Sequence, residues 1–317
     1  MKLQMLVFLG AYILGILFSL IILPYLRKMK VGQVVREDGP KSHLKKAGTP
    51  TMGGIVIIIA SLIILSVAAF KFPKLAMAIV PFLGFGMVGF VDDYKKLRYE
   101  NTEGLSPMKK IIFLFVVSAV FILLYLVTFK YGTDIIIPFT VKDVIIPTGI
   151  FVIFITFILL GTSNAINLTD GLDGLATGIV TIIIAFFTAV AIKNNETDMV
   201  IFGSVITGAS LAFLIFNMYP AKMFLGDTGS LALGGAVASM AIIMKMPIYL
   251  AIVALIPVVE TLSVALQVIY FKITKGKRLF KMAPLHHHLE LSGLKETKIV
   301  TIFWSITAIL CVIAYFI

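Results

Sequence analysis

Ten long apolar runs leave this chain few ways to fold. They lie at roughly 3–26, 52–70, 75–91, 111–129, 149–163, 174–192, 199–217, 230–245, 247–272 and 299–317. A helix that crosses a bilayer needs about 20 apolar residues, and the runs fit that requirement one after another. Two of them, 75–91 and 149–163, are short for a span, and 247–272 is long. Hydrophobic residues make up 60% of the chain, where a soluble domain has about 45–50%. The single cysteine, Cys311, lies in the last run, so neither a disulfide framework nor a cysteine metal site is expected. The first run is long enough to span and no A-x-A-like site follows it, so it reads as a span and not as a cleaved signal. The expected fold class is an all-α polytopic membrane protein of about ten transmembrane helices, with residues 1–317 forming one integral membrane domain.

Charge sets the expected orientation. Ten spans put both termini on one side. The loops that follow odd-numbered runs hold 20 of the 27 lysines and arginines. The positive-inside rule places those loops in the cytoplasm and both termini outside. The net charge of +11 is then a matter of loop orientation, and no nucleic-acid partner is expected. On the outer side, "TDIIIPFTVKDVIIP" has two β-prone runs around Thr140–Asp143. They read either as a short hairpin on the outer face or as a plain linker.

The polar information gathers in the inside loops. These are "REDGPKSHLKKAGTPTMGG" (36–54), "VDDYKK" (91–96), "NLTDGLDG" (167–174), "FNMYPAKMFLGDTGS" (216–230) and "KMAPLHHHLELSG" (281–293), and they contain all four histidines. A transporter places ionisable groups near the middle of its spans. Here Glu260 is the only acid well inside a run. The distribution favours an enzyme working at one membrane face over a nucleotide-sugar or lipid transporter.

Each stretch has a chemical and a plain reading. Asp92 and Asp93 end the third run, where adjacent like charges repel and oppose the helix dipole. Lys95 and Lys96 compensate them, or a divalent cation does; oxygen ligands of this kind suit Mg²⁺. "FLGDTGS" sets Asp227 ahead of a run starting near Ser230, as a cap or as part of a phosphate-binding helix start. "LTDGLDG" stands likewise before the sixth run, and its spacing from Asp170 is not that of a calcium-binding EF-hand loop. His286, His287 and His288 cannot face one metal from a helix, because successive residues point about 100° apart. They serve as an acid/base, as phosphate donors or as a solvated surface. "GFGMVG" (84–89) lies in mid-run with no strand before it, so close helix packing explains it better than a dinucleotide loop. The ninth run contains Pro257, Glu260 and Gln267. It is kinked, with an apolar groove at the break, or simply tilted.

Taken together, "DGPKSHLKKAGTPTMGG", "VDDYKK", "NAINLTDGLDGLA", "FNMYPAKMFLGDTGSLALGG" and "APLHHHLELSG" resemble the MraY family of phospho-N-acetylmuramoyl-pentapeptide transferases. The likeness runs in order over nearly the whole chain. The aspartate motifs are shared with the wider polyprenyl-phosphate N-acetylhexosamine-1-phosphate transferase superfamily, whereas "SHLKKAGTPTMGG" and "PLHHHLELSG" resemble this branch. The resemblance implies transfer of phospho-MurNAc-pentapeptide from UDP-MurNAc-pentapeptide to undecaprenyl phosphate, giving lipid I and UMP. It implies Mg²⁺, a homodimer, and a bacterial plasma-membrane location with the site facing the cytoplasm.

The same resemblance implies roles for residues. Asp227 matches the metal ligand, and Asp92 and Asp93 the essential pair, with Asp92 the base. Asn164, Asn167, Asp170, Gly171, Leu172, Asp173, Asn217 and Phe224 match positions around the uridine and pyrophosphate, Phe224 stacking on uracil. Lys46, Thr51 and Lys110 match polar positions near the site. Gln267, His286, His287 and His288 match its far wall, with His286 among the catalytic residues. The lipid phosphate attacks the β-phosphorus directly, or a carboxylate attacks first and forms a phospho-enzyme; the sequence leaves both open.

Overall fold

A computed structural model describes residues 2–28, 48–99, 104–140 and 143–317. All ten apolar runs are helical. They correspond to α1 (Lys2–Lys28), α2 (Gly54–Ala69), α3 (Leu75–Arg98), α4 (Pro107–Leu123, continued by one π-helical turn, Leu124–Thr128), α5 (Thr148–Thr169), α6 (Leu175–Lys193), α7 (Thr197–Asn217), α8 (Gly226–Ile243), α9 (Leu255–Ile273) and, after the short α10 (Leu285–Leu291), α11 (Glu296–Phe316). Among the described residues nine helices are long and apolar enough to cross a membrane, and α2 is a shorter apolar helix of 16 residues. The two runs that looked short belong to full-length helices of 24 and 22 residues. Their final turns carry the polar groups VDDYKK and NAINLT, which hide the helix from a hydropathy count.

The long ninth run is broken. A 3-10 turn at Pro247–Tyr249 and one helical turn at Leu250–Val253 precede α9. Pro257 has no N–H to bond the Val253 carbonyl and its ring crowds that carbonyl, so the helix restarts just before it. A simple tilt of one long helix does not describe this segment.

The least apolar of these helices is the most enclosed. Every residue of α8 from Thr228 to Ile243 is buried, although its sequence is mostly Gly, Ala and Ser. It packs most extensively against α3, then α5, with α2 and α6 completing the ring. Small residues allow this: a Cβ on Gly89 of α3 would fall 2.1 Å from the Asp227 carbonyl oxygen, and one on Gly235 of α8 2.4 Å from that of Pro81. GFGMVG is therefore a packing motif, as expected. On α4, by contrast, only Leu114, Ser118 and Phe121 are buried. Phe113, Phe115 and Val116 point outward, which suits contact with lipid and not with water.

The hairpin forms. Strands β1 (Asp134–Ile136) and β2 (Asp143–Ile145) pair antiparallel with Asp134 opposite Ile145. The Ile136 N–H donates to the Lys245 carbonyl at 2.7 Å, and Lys245 forms an ion pair with Asp134. The hairpin joins the end of α4 to the start of α5. At the other ends of those helices lie Lys109 and Lys110, at the start of α4, and Asn167 and Asp170, at the end of α5.

Candidate active site

The site forms where α3 and α5 end and α4 and α8 begin. Asp92, Asp93 and Asp227 offer carboxylate oxygens that all lie within 4.8 Å of one another. Two expectations about their surroundings need correction. Asp92 and Asp93 do not end their helix, because α3 continues to Arg98. Asp227 does not precede its helix either, because α8 starts at Gly226 and holds Asp227 in its first turn. The Gly226 backbone is left-handed, at φ 73°, and a Cβ there would meet Asp93 Oδ2 at 2.8 Å and Thr51 Oγ1 at 2.9 Å. Both the conformation and the crowding call for glycine.

The two neighbouring aspartates have different work. Asp93 accepts from the Thr228 N–H at 2.9 Å, the Thr228 hydroxyl at 2.7 Å and the Asp227 N–H at 3.3 Å. It thus caps α8 from another helix, and α8 has no side-chain cap of its own. Asp93 takes the Asp227 and Thr228 N–H groups and Asp170 that of Gly226, so these are not free to bind phosphate. Asp92 points elsewhere: it accepts from the Leu105 N–H at 2.8 Å and pairs with Lys96 at 2.6 Å.

Asp227 is held from three directions. Lys96 and Lys110 reach Oδ2 at 3.0 and 2.9 Å, and the Asn167 amide donates to Oδ1 at 2.7 Å. Asn167 also donates to the Ser230 hydroxyl at 2.8 Å. Asn164 and Asn167 belong to the last turns of α5, not to a gap between helices. Asn164 bonds the Leu160 carbonyl of its own helix. Burial, then the charges of Asp227 and Asp93, push the Asp170 carboxyl up to about 8. Lys96 and Lys110 pair with Asp92 and Asp227, and the raised Asp170 marks a region short of positive charge.

The rest of the nucleotide-side residues frame this cluster. Thr51 stands beside Gly226 because residues 50–54 zip onto 224–225: the Phe224 N–H donates to the Pro50 carbonyl, and the Gly53 and Gly54 N–H groups donate to Phe224 and Leu225. Asp173 is buried and accepts from the Ala221 N–H at 3.0 Å, while its own N–H donates to Glu296 at 2.7 Å. Asn217 is buried, accepting from Thr177 at 2.8 Å and donating to the Met223 carbonyl at 3.1 Å. Leu172 is in the core. The "LTDGLDG" loop and the "FNMYPAKMFLGDTGS" loop are thus tied together, and Phe224 in the second is half-buried with its backbone bonded to Pro50 and Gly53. Lys46 lies outside the described residues.

The far-wall residues divide. His286 is fully buried, its ring against Gly171, where an added Cβ would lie 2.1 Å from Nε2. His287 stacks edge-on against it, with centroids 4.2 Å apart. His288 accepts from the Lys281 N–H through Nδ1, and Gln267 accepts from the Leu279 and Phe280 N–H groups through Oε1. His288 and Gln267 therefore fold the 277–281 loop and do not touch the acidic cluster by these bonds. The histidines occupy α10, and their Nδ1 atoms meet three different partners, Glu260, Glu290 and the Lys281 N–H.

Four side chains around the site escaped the sequence reading: Thr228, Ser230, Glu260 and Glu296. Lys96, read as compensating the aspartate pair, does so at the i, i+4 spacing of a helical ion pair and reaches Asp227 as well. Thr228 and Ser230 lie within three residues after Asp227. Glu260 stood out as the one acid inside a run, but nothing local pointed to His286. Glu296 carried no local signal for Asp173.

Comparison with known proteins agrees with this geometry. The model for glycosyl transferase family 4 matches residues 75–245, and signature 1 of the phospho-N-acetylmuramoyl-pentapeptide-transferases matches residues 46–58. The phospho-N-acetylmuramoyl-pentapeptide-transferase of Acetivibrio thermocellus is 48% identical over 311 residues, covering 96% of this chain and 93% of that protein. Those of Clostridium perfringens and Bacillus subtilis are 48% and 45% identical, each covering 96% of this chain and 95% of the relative. With the matched region enclosing the Asp92, Asp93 and Asp227 cluster, the chain belongs to the phospho-N-acetylmuramoyl-pentapeptide-transferase family.

Proposed function

We propose that the chain transfers phospho-MurNAc-pentapeptide from UDP-MurNAc-pentapeptide to undecaprenyl phosphate, releasing UMP and forming lipid I for peptidoglycan synthesis. The observation that carries this is the convergence of Asp92, Asp93 and Asp227 within 4.8 Å in a member of this transferase family. Placement in the bacterial plasma membrane as a homodimer belongs to the same reading and rests on the family; the site facing the cytoplasm with the termini outside rests on the basic loops.

A divalent cation fits the residues present. The donor set is all oxygen, as Mg²⁺ prefers, and three carboxyl groups converge there. Asp227 would hold the ion with help from Asp92; bound there, it would neutralise the pyrophosphate. Asp93 keeps Asp227 in place through the start of α8. Lys96 and Lys110, now on Asp227, are placed to take phosphate oxygens. Asp92 accepts the proton of the lipid phosphate, whose oxygen attacks the β-phosphorus while the bond to the UMP oxygen breaks. Every carboxylate of the cluster already accepts N–H donors, which weakens it as a nucleophile and favours the direct attack over a phospho-enzyme. Phe224 stacks on the uracil.

The test is UMP release from UDP-MurNAc-pentapeptide by the purified protein, with and without undecaprenyl phosphate and divalent cation. Release that needs both supports the proposal. Release without the lipid favours the two-step route, and no release under any condition refutes the activity.

A further inference from the structure

Glu260 lies inside α9 with no solvent exposure, and its partner is His286. The carboxylate accepts from the His286 backbone N–H at 3.1 Å through Oε1 and meets His286 Nδ1 at 3.1 Å through Oε2. A carboxylate engaged in this way accepts at both oxygens, so Nδ1 carries the ring proton. In a neutral imidazole the other nitrogen is then an acceptor. That nitrogen, Nε2, is buried without a hydrogen-bond partner and faces the backbone of Gly171 in the loop 170–173. His288, two residues on, is set the opposite way: it accepts the Lys281 N–H at Nδ1, which leaves its proton on Nε2. Neighbouring histidines are thus given opposite tautomers by different parts of the chain.

We propose that Glu260 is a positioning residue: it fixes His286 as the Nδ1–H tautomer, so that the bare Nε2 packs on the Gly171 backbone and holds α10 against the 170–173 loop, where an Nε2–H would have no room. The expected effect on turnover rests on the function proposed above. The buried acceptor without a partner is the observation behind it, since such a group is seldom left unpaired in a folded chain. A glutamate is needed because it alone, at this length, can accept from both the backbone N–H and Nδ1–H. Glutamine has nearly the same shape, but its amide nitrogen can donate to Nδ1 and move the ring proton to Nε2.

The experiment compares wild type, Glu260→Gln and Glu260→Asp as purified full-length protein. ¹⁵N NMR of histidine-labelled samples reads the tautomer, with the His286 signals identified by their loss in His286→Gln. Thermal unfolding and UMP affinity report on the fold and on the nucleotide end of the site. We expect Nδ1–H in wild type and Nε2–H in Glu260→Gln. We expect kcat/KM for the donor to fall at least tenfold in Glu260→Gln with unchanged UMP affinity, and Glu260→Asp to recover part of it. An Nε2–H wild type, or wild-type turnover in Glu260→Gln, overturns the assignment. So does a loss that only follows the fraction of unfolded protein. If wild type itself releases no UMP, the proposed function fails, and the tautomers alone still decide the role of Glu260.

Discussion

Gly89→Ala is a severe test of how the site is held, because the substitution replaces no catalytic side chain. The added methyl would lie 2.1 Å from the Asp227 carbonyl oxygen, 2.4 Å from its carbonyl carbon and 2.7 Å from the Thr228 nitrogen. Non-bonded heavy atoms need about 3.5 Å, so α3 and α8 must separate by roughly 1 Å or more. Both sides of the clash are backbone, which cannot turn aside. Overpacking of this kind costs about 1–3 kcal/mol of stability. The separation also pulls Asp227 away from Asp92 and Asp93, and a misplacement of about 1 Å costs on the order of 10²-fold in rate. Gly84→Ala is the control: the three atoms nearest its methyl all belong to the Val117 side chain, the closest at 2.5 Å, and α4 is the more exposed helix. Thermal unfolding and UMP release of both variants in detergent are the measurements. We expect Gly89→Ala to lose about two orders of magnitude in turnover per folded molecule and Gly84→Ala to lose little. Equal turnover in Gly89→Ala and wild type, or equal damage in the two variants, refutes the view that this helix contact sets the carboxylate geometry.

Three further outcomes are expected. Asp227→Ala should lose several kcal/mol of transition-state stabilisation together with its divalent-cation response; near-normal turnover in a metal titration would remove Asp227 as the ligand. Phe224→Ala should weaken UMP binding about tenfold or more, since base–aromatic stacking is worth roughly 1–3 kcal/mol, while Phe224→Trp retains most of it; equal affinities by calorimetry would leave the ring a packing role only. Lys245 holds the Asp134 carboxyl below its usual value; the lowered value means the stabilisation is present above the unfolded pKa and lost as pH falls through the folded one. Asp134→Asn should therefore lower the melting temperature slightly at neutral pH, by an amount that corresponds to less than about 1 kcal/mol for so exposed a pair, and the gap from wild type should close in acid with turnover unchanged; a loss of turnover would link the hairpin to the distant site.

What the sequence determined was whatever repeats or clusters locally. Ten apolar runs set ten helices, because a helix in a bilayer satisfies its own backbone and needs only length and hydropathy. Five polar stretches marked the helix ends that form the site, whereas two β-prone runs left a hairpin and a plain linker both open. Tertiary structure decided the pairings. Asp92 and Asp93 look alike in the chain, yet about 100° of helical rotation sends Asp93 to cap α8 and leaves Asp92 with Lys96. Glu260 finds His286 across 26 residues, and Glu296 finds Asp173 across 123. The helix that organises the centre, α8, was the weakest span by composition, because its small residues are chosen for close contact with neighbouring helices and not for contact with lipid. Such choices depend on what stands opposite in space, and only the packed helices supply that.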